Sequence, residues 1–535
     1  MEDFRYIVVG AGTAGCVLAA RLSQNPDARV LLLEAGGPER TRAMTVPGAW
    51  PENLGSPADW GGQTTPQAEA GPTPYPRGRA LGGSSAINAM AHVRGHRAVY
   101  DAWAAGGAPG WGFADLLPCF LRSERAEGRD QAQQRMAQIT GSARVQARVA
   151  TALRGTDGPV RVAPAAPAAR HPVAMALAQA LADAGWPVTD DLSGQHQEGL
   201  AWVDLAIAGG ERVSAADAYL RPAMRRANLT VLTGCLATGL LIERGRCTGV
   251  GYLRDGEPGS ARAAGEVILC AGAIGSPQLL MLSGIGPAGQ LRRAGIEPLA
   301  DVPGVGANLQ DHPLVMACYA TPDQPPASRY NHGEAYAALR SDWAGGWPDL
   351  HLFPILLPLA PAGHEPPAAG YVIAAGVIAP DSRGSVRLAC ADPARAPLID
   401  PGFLRDGRDT DRLEAGLRLV REIAASAPLR GTWRAEVHPG PDVTTSADLR
   451  RYVRRAVGSY YHPAGTCALG TGAAAVTDPQ LRVRGVAGLR VADASVLPVL
   501  PNAHPNATVL AVAERAAELI GGPAGPRRGL PLEQS

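Results

Sequence analysis

Residues 4–34 read FRYIVVGAGTAGCVLAARLSQNPDARVLLLE, and this stretch decides the fold. Its first and last apolar runs predict two β-strands, and residues 13–23 between them predict a helix. The first strand meets the helix at a G-x-G-x-x-G turn. In such a turn Gly10 permits the tight bend, Gly12 lets a phosphate approach the backbone, and Gly15 lets helix and strand pack closely. The stretch therefore predicts the opening βαβ unit of a doubly wound sheet.

An acidic residue and a helix N-terminus make this unit a predicted dinucleotide site. Glu34 ends the second strand, where an acid binds ribose hydroxyls, and the free N–H groups of the helix attract a pyrophosphate. The glycines alone are a weak signal, because a purely structural turn has the same pattern. The acid disfavours NADP, while NAD and FAD both remain open. The predicted contacts are Gly10, Gly12, Thr13, Ala14, Gly15, Glu34 and Ala35.

The composition is that of a globular protein with more than one core. The chain has 535 residues, of which 46% are hydrophobic and 19% charged, so we expect two domains. The net charge is +1 and no polybasic run is present, which excludes nucleic acid and anionic membranes as partners. All basic side chains other than histidine are arginine, so a lysine Schiff base is excluded.

The spacing of the cysteines and the N-terminal sequence indicate whether a metal site is expected and where the protein is located. The 8 cysteines are scattered, without C-x-x-C or zinc-like spacing, which predicts no metal site and a reducing compartment. The N-terminus runs directly into the first strand without a secretory signal. The apolar stretch that starts at Val267 contains several glycines and Pro277, so it predicts strand, turn and helix. We expect a cytoplasmic protein without a transmembrane segment.

The rest of the chain divides into recognisable segments. Residues 173–186 predict an amphipathic helix, and 508–520 a closing helix. Short β-type runs at 229–269 predict an antiparallel excursion that returns to the first sheet. Apolar runs interrupted by proline at 348–390 predict a separate sheet over a substrate cavity. The polar segment 126–157 is interpreted as a helical insertion or lid.

Five further segments, in order along the chain, resemble the glucose-methanol-choline (GMC) oxidoreductase family. They are PRGRALGGSSAINAM (76–90), GAIGSPQLLMLSGIG (272–286), GVGANLQDHP (304–313), SYYHPAGTCALG (459–470) and ADASVLPVLPNAHPNATVLAVAERAAELI (492–520). The resemblance implies FAD and an α/β fold (α+β overall), with a Rossmann-like FAD-binding domain and a substrate domain on an antiparallel sheet. We expect the FAD-binding domain at 1–155, 214–312 and 466–535, and the substrate domain at 156–213 and 313–465.

The resemblance also implies which residues contact the flavin. Members with a histidyl-linked flavin carry a histidine shortly before the Gly-Gly pair, where this chain has Arg77, so we predict noncovalent FAD. His92 departs from the family, which has an aromatic residue or alanine there, and a tolerated edge position is expected. The further cofactor residues are Trp60, Arg79, Gly83, Ser84, Asn88, Ala89, Met90, Ala91, Ala237, Asp493, Ala494, Pro505 and Asn506.

Two histidines carry the predicted chemistry. Alcohol oxidation removes the hydroxyl proton as a hydride leaves the same carbon, and an imidazole with a pKa near neutrality suits this base. His462, within YHP, is the predicted general base by both chemistry and motif. His504 stands where the family has a second histidine or an asparagine, and is predicted to hold the substrate oxygen. Asn502 and Asn506 flank it and remain alternatives, as does a purely structural role for either histidine.

The remaining histidines and the pocket segments are less informative. His312 belongs to a family hallmark and is expected to be structural, near the domain junction, while His332 could reach the cavity. Residues 330–375 contain few acids, and no aromatic cage for a quaternary ammonium is evident, which disfavours choline. The sequence favours an uncharged primary alcohol, whether aryl, furanic or aliphatic, and leaves pyridoxine-like compounds open.

Three functions remain for such a protein. The leading one is an alcohol oxidase or dehydrogenase that passes electrons to dioxygen or to a respiratory, quinone-type acceptor. The second is a redox-silent lyase that keeps FAD and cleaves cyanohydrins, which the two histidines also fit. The third is a nonenzymatic FAD-bearing interaction protein, which the intact histidine pair disfavours.

Overall fold

The computed structural model describes residues 4–129 and 153–522, so most of the predicted insertion at 126–157 lies outside the described residues. Within these ranges no helix is both long and apolar enough to span a membrane. The longer helices are α1 (Thr13–Leu22), α2 (Arg97–Ala105), α3 (Phe113–Ser123), α4 (Pro172–Asp183), α5 (Gly272–Leu282), α6 (Gly407–Ala425), α7 (Ser446–Ala456) and α8 (Asn506–Gly521).

Two large sheets organise the chain. Their strands are β1 (Phe4–Val9), β2 (Val30–Leu33), β3 (Gly199–Trp202), β4 (Leu229–Leu232), β5 (Cys235–Glu243), β6 (Arg246–Arg254), β7 (Glu257–Leu269), β8 (Pro313–Ala320), β9 (Ala335–Leu339), β10 (Leu350–Ile355), β11 (Gly370–Val377), β12 (Ala435–His438), β13 (Gly458–Ser459) and β14 (Leu489–Val491).

The first sheet is the predicted doubly wound sheet. Its order is β4-β2-β1-β7-β6-β5, and β14 pairs with β7. The apolar strands β1 and β2 are parallel, and helices α1 and α8 pack on each other beside them. The predicted excursion at 229–269 needs one correction, because β4 joins β2 in parallel and only β5, β6 and β7 run antiparallel.

The second sheet is antiparallel throughout, with the order β12-β8-β11-β10-β9-β3, and β13 pairs with β8. Alternation along β10 places Leu350 and Leu352 in the core under helix α6, which packs against this sheet. Since neighbouring residues of a strand face opposite sides, His351 and Phe353 face the other side of the sheet. That side is turned towards the first sheet's domain and carries the candidate site.

Two motif segments meet where the two sheets join. Gln310 pairs with Ala464 as an isolated antiparallel bridge, and Pro313 at the start of β8 pairs with Ser459 in β13. This register aligns the segment 304–313 with the segment 459–470. Residues 150 positions apart in sequence, such as His312 and His462, therefore come into contact.

A buried cluster of charges lies beside the small four-stranded sheet of Ala91–His92, Glu124–Ala126, Val160–Pro164 and Asp204–Leu205. Arg129 and Arg154 bind opposite oxygens of the Asp204 carboxylate, at 2.6 and 2.7 Å. His92 lies on the edge strand of this sheet and is buried, with Nε2 3.2 Å from the Glu124 carboxylate.

Candidate active site

Three glycines shape the turn between β1 and α1. Gly10 has φ +98°, and a Cβ there would lie 2.6 Å from the carbonyl oxygen of Cys270. A Cβ at Gly15 would lie 1.8 Å from the carbonyl oxygen of Gly10, so helix and strand could not pack. At Gly12, by contrast, the nearest atom would be 3.8 Å away. The open space at Gly12 and the helix N-terminus without a side-chain cap fit the pyrophosphate of a dinucleotide.

Glu34 joins the loops that follow β1 and β2. One carboxylate oxygen accepts a hydrogen bond from the backbone N–H of Ala11 and the other from that of Gly36, each at 2.8 Å. Burial raises the pKa of Glu34 to about 7, and the two backbone donors oppose the shift. The carboxylate thus stands at the rim of the glycine turn, where the dinucleotide ribose is predicted to bind.

The predicted flavin contacts of the first signature lie close to the glycine turn. A Cβ on Gly83 would be 2.6 Å from the Cα of Gly12, so the two loops touch. The Ser84 hydroxyl accepts a hydrogen bond from a backbone N–H within its own loop. Arg79 lies 5.1 Å over the ring of Trp60, which is 48% exposed.

The C-terminal segment closes this site from the other side. Both oxygens of the Asp493 carboxylate are bonded, to the N–H of Gly272 at the start of α5 and to the hydroxyls of Ser276 and Ser495. Asn506, the first residue of α8, accepts a hydrogen bond of 2.8 Å from the Thr13 hydroxyl. The two helix N-termini are therefore linked directly beside the predicted pyrophosphate position.

The other predicted cofactor residues are distributed over several elements. Asn88 accepts hydrogen bonds from Arg212 and from the N–H of Met90, and the carbonyl of Ala89 accepts one from Asn331. The remaining residues are placed as follows: Ala14 in α1, Ala35 after β2, Ala91 in the small sheet, Ala237 in β5, Ala494 after Asp493, and Pro505 before α8.

Four histidines converge at the junction of the two sheets. The rings of His462 and His504 lie 5.1 Å apart between centroids, and His351 lies 5.9 Å from His504. Nδ1 of His462 and Nδ1 of His312 are 2.9 Å apart and share a hydrogen bond. His312 and His351 are fully buried, whereas His462 and His504 keep part of their surface exposed.

Asp311 fixes the backbone of His462. One of its carboxylate oxygens accepts a 2.8 Å hydrogen bond from the backbone N–H of His462. The other accepts from the hydroxyl of Tyr75, at 2.7 Å, and from the hydroxyl of Ser459. Arg77 donates to the carbonyl of the residue before His462, at 2.6 Å. The position of the imidazole is therefore set by groups from three separate segments.

Burial keeps these imidazoles neutral. The pKa of His462 is held well below its usual 6.5, chiefly by burial, and positive charge on His504, His312 or Arg77 lowers it further. Burial lowers the pKa of His504 to about 4. A neutral imidazole has one nitrogen lone pair that can accept a proton, so each of these two histidines can act as a base near neutral pH.

Aromatic rings surround the histidines. Tyr460 stacks on His462 at 4.6 Å, Phe353 lies 4.7 Å from Tyr460, and Tyr336 lies 5.4 Å from His504. These rings pack on the histidines and on one another, so aromatic side chains are present at the site although the sequence showed no pattern of them. The three rings come from β9, β10 and the segment after β13, which are far apart in sequence, so no local pattern shows them together.

The structure separates the remaining candidates from the cluster. The Asn502 side chain is bonded to the carbonyl of Pro348 and to the N–H of His96, so both of its polar atoms have partners outside the cluster. His332 bonds the carbonyl of Gly48. Sequence reasoning missed His351, although its alternation with Phe353 on one face of β10 was a usable signal.

The fold and site define a dinucleotide-binding oxidoreductase with a histidine pair at the junction of two domains. The GMC oxidoreductase family models match residues 4–314 and 380–513. The chain belongs to the GMC oxidoreductase family, whose members are FAD-dependent and act on CH–OH groups. The open glycine turn and the free N-terminus of α1 fit the pyrophosphate of that cofactor.

Named relatives cover nearly the whole chain. An oxygen-dependent choline dehydrogenase of Photobacterium profundum is 37% identical over 97% of this chain and 93% of its own length. The crystal structure of pyridoxine 4-oxidase from Mesorbium loti has a TM-score of 0.90 and 34% identity, and covers 98% of this chain and 100% of that one. An Aspergillus oryzae formate oxidase variant, studied for FAD modification, has a TM-score of 0.88 and 26% identity, over 97% and 98% of the two chains.

Proposed function

We propose that the protein oxidises an uncharged primary alcohol to the aldehyde, with His462 as the general base. The observation that carries the proposal is the position of the His462 imidazole, which lies beside His504 and whose backbone is fixed by Asp311. His462 takes the proton of the substrate hydroxyl while a hydride leaves the same carbon. Bound FAD supplies the hydride acceptor.

His504 holds the substrate oxygen in this proposal. Its Nδ1 makes no hydrogen bond to any described residue, and its ring is 5.1 Å from that of His462. A hydroxyl placed between the two rings would meet a proton acceptor on one side and a hydrogen-bond partner on the other. Such prior alignment of donor and acceptor lowers the barrier without reorganisation during the reaction.

The substrate class follows from the charges around the site. Two of the four acids in residues 330–375 are already bonded, Glu334 to Ser328 and Asp349 to Arg412, and the other two, Asp342 and Glu365, are exposed. The two bonded carboxylates are buried, so neither is available to a substrate cation. Neutral imidazoles and aromatic rings instead favour an uncharged planar group, and we therefore place aryl, furanic and pyridoxine-like alcohols ahead of aliphatic ones.

A choline-like quaternary ammonium is the second candidate. It is supported by the names of the choline dehydrogenase relatives and by the aromatic rings of Tyr336, Phe353 and Tyr460, because such rings can bind cations. For the electron acceptor, dioxygen and a respiratory, quinone-type compound stay the two proposed alternatives.

The test is anaerobic stopped-flow mixing with benzyl alcohol, furfuryl alcohol, pyridoxine, 1-hexanol and choline. We expect the visible flavin absorbance to bleach fastest with the uncharged aromatic alcohols. Fastest bleaching by choline would overturn the substrate class. Cleavage of an aromatic cyanohydrin, without bleaching by any alcohol, would instead show the lyase. Mixing the reduced enzyme with dioxygen then separates an oxidase from a dehydrogenase.

A further inference from the structure

The hydrogen bond between His312 and His462 requires one donor and one acceptor. Nδ1 of His312 and Nδ1 of His462 are 2.9 Å apart, and the two rings are perpendicular, at 90°. A neutral imidazole carries its single proton on one nitrogen only. Either His462 donates to His312 and keeps a lone pair on its own Nε2, or His312 donates and the proton of His462 sits on Nε2.

A neutral His312 is compatible with the first arrangement. Burial lowers the pKa of His312 to about 3, so its ring is neutral. Its Nε2 makes no hydrogen bond of ordinary geometry, but the carbonyl groups of Pro501 and Ile378 act on the ring and raise its pKa. His462 can act as a base only if its own Nε2 keeps a lone pair, which requires that His462 donates and that His312 accepts in the 2.9 Å contact. Nδ1 of His312 is then left as an acceptor.

We propose that His312 is a positioning residue that holds His462 in the tautomer able to act as a base. The inference rests on the proposed function, because only the tautomer with a free Nε2 lone pair can take a proton from an alcohol. When His462 becomes protonated, its Nδ1–H already faces a neutral acceptor, which stabilises the new charge.

The adjacent residues Asp311 and His312 hold different parts of His462. The carboxylate of Asp311 is occupied by the backbone N–H of His462 and by two hydroxyls, so it fixes the main chain. His312 is the described group hydrogen-bonded to the imidazole itself. The orienting partner of this base is therefore a second imidazole, and not the carboxylate next to it.

The experiment compares His312→Gln, which keeps an oxygen acceptor, with His312→Phe, which keeps a ring without one. The anaerobic rate of flavin reduction at saturating alcohol is measured together with the apparent alcohol dissociation constant. We expect His312→Phe to slow reduction about 10- to 100-fold, since a hydrogen bond to a charged group is lost, with little change in the dissociation constant. His312→Gln should recover most of the rate.

The matched control is His171→Asn, at another buried histidine that caps α4 and lies outside the cluster. A rate for His312→Phe equal to that of the unmodified enzyme would overturn the inference, and so would equal losses in the Phe and Gln variants. If His312→Phe fails to fold, His312→Met replaces it in the same comparison. Failure of the unmodified enzyme to be reduced by any alcohol would instead overturn the proposed function.

Discussion

At the scale of single residues, burial determines which protonation states the site can use. The pKa values of His462, His504 and His312 are all lowered, chiefly by burial. Adjacent neutral rings do not repel one another, and any of them that gains a proton is destabilised by its enclosed position. His462 differs from the other three histidines of the cluster in having both a hydrogen-bonded imidazole on Nδ1 and a backbone N–H fixed by Asp311, which suits it to the role of base.

The pH dependence of flavin reduction follows from this arrangement. The groups facing His462 are His504, His312, His351 and Arg77, and positive charge on any of them lowers the pKa of His462. A base works when deprotonated, so a lowered pKa keeps it active at neutral pH and shifts the loss of rate to the acid side. Between about pH 6 and about pH 9 we expect a constant limiting rate. A rising limb with its midpoint at or above the usual 6.5 would contradict the lowered pKa.

The sequence predicted part of this cluster. His462 and His504 could be identified because they lie within motifs whose chemistry is readable. The bond from His312 and the nearness of His351 could not, because they depend on the register of β8 against β13 and on which face of β10 meets the junction. Pairing across long sequence separations has no local signal.

At the scale of elements, two glycines of the β1–α1 turn are needed for different reasons, one for packing and one for ligand binding. Gly15 is needed by the protein itself, because a side chain there would collide with the carbonyl of Gly10. Gly12 has no such neighbour, and its φ of −73° suits any residue. The space at Gly12 is therefore best explained by a ligand that approaches the backbone.

Alanine at each position tests this distinction. Gly15→Ala should lower the free energy of unfolding by about 1–3 kcal/mol, because the added methyl group overpacks the helix–strand contact. Gly12→Ala should leave the apoprotein within about 1 kcal/mol of the unmodified chain. It should weaken FAD binding at least tenfold, or about 1.4 kcal/mol. Chemical denaturation and FAD titration measure both, and unchanged FAD affinity in Gly12→Ala would contradict the assignment.

Most elements were predicted correctly where periodicity was strong. The first βαβ unit, the helices predicted at 173–186 and 508–520, and strands within 348–390 are all present. The mistake at β4 arose because a short apolar run has the same pattern in a parallel or an antiparallel sheet. Its place beside β2 is set by the whole sheet and not by its own residues.

At the scale of the whole molecule, segments distant in sequence are joined by buried ion pairs. Buried Arg154 binds the buried carboxylates of both Glu124 and Asp204, and Arg129 binds the same Asp204 carboxylate. Such a cluster is stable only when its charges are matched, so removal of one partner leaves buried charge without compensation.

Asp204→Asn should therefore lower the free energy of unfolding by about 3–5 kcal/mol. The control is Glu243→Gln, which breaks the ion pair with Arg262, where both side chains are 55% exposed. We expect that change to cost less than about 1 kcal/mol. Chemical denaturation of the two variants measures both changes. Equal losses of unfolding free energy would show that the buried ion pairs stabilise the protein no more than the exposed pair does.

The mode of flavin attachment is a second property of the whole protein. Because Arg77 stands where histidyl-linked members carry a histidine, we predict noncovalent FAD. Acid precipitation of the purified protein should leave the yellow cofactor in the supernatant as intact FAD, identified by its mass. Flavin retained in the pellet after washing would contradict the prediction.

The central claim is that the imidazole of His462 takes the substrate proton. The most direct measurement is the anaerobic rate of flavin reduction in His462→Ala, with the best alcohol of the panel and with FAD content matched to the unmodified enzyme. The account predicts a loss of about 10²- to 10⁴-fold, the usual contribution of a positioned general base. A rate within about tenfold of the unmodified enzyme would contradict the account, because a base of this kind contributes more than that.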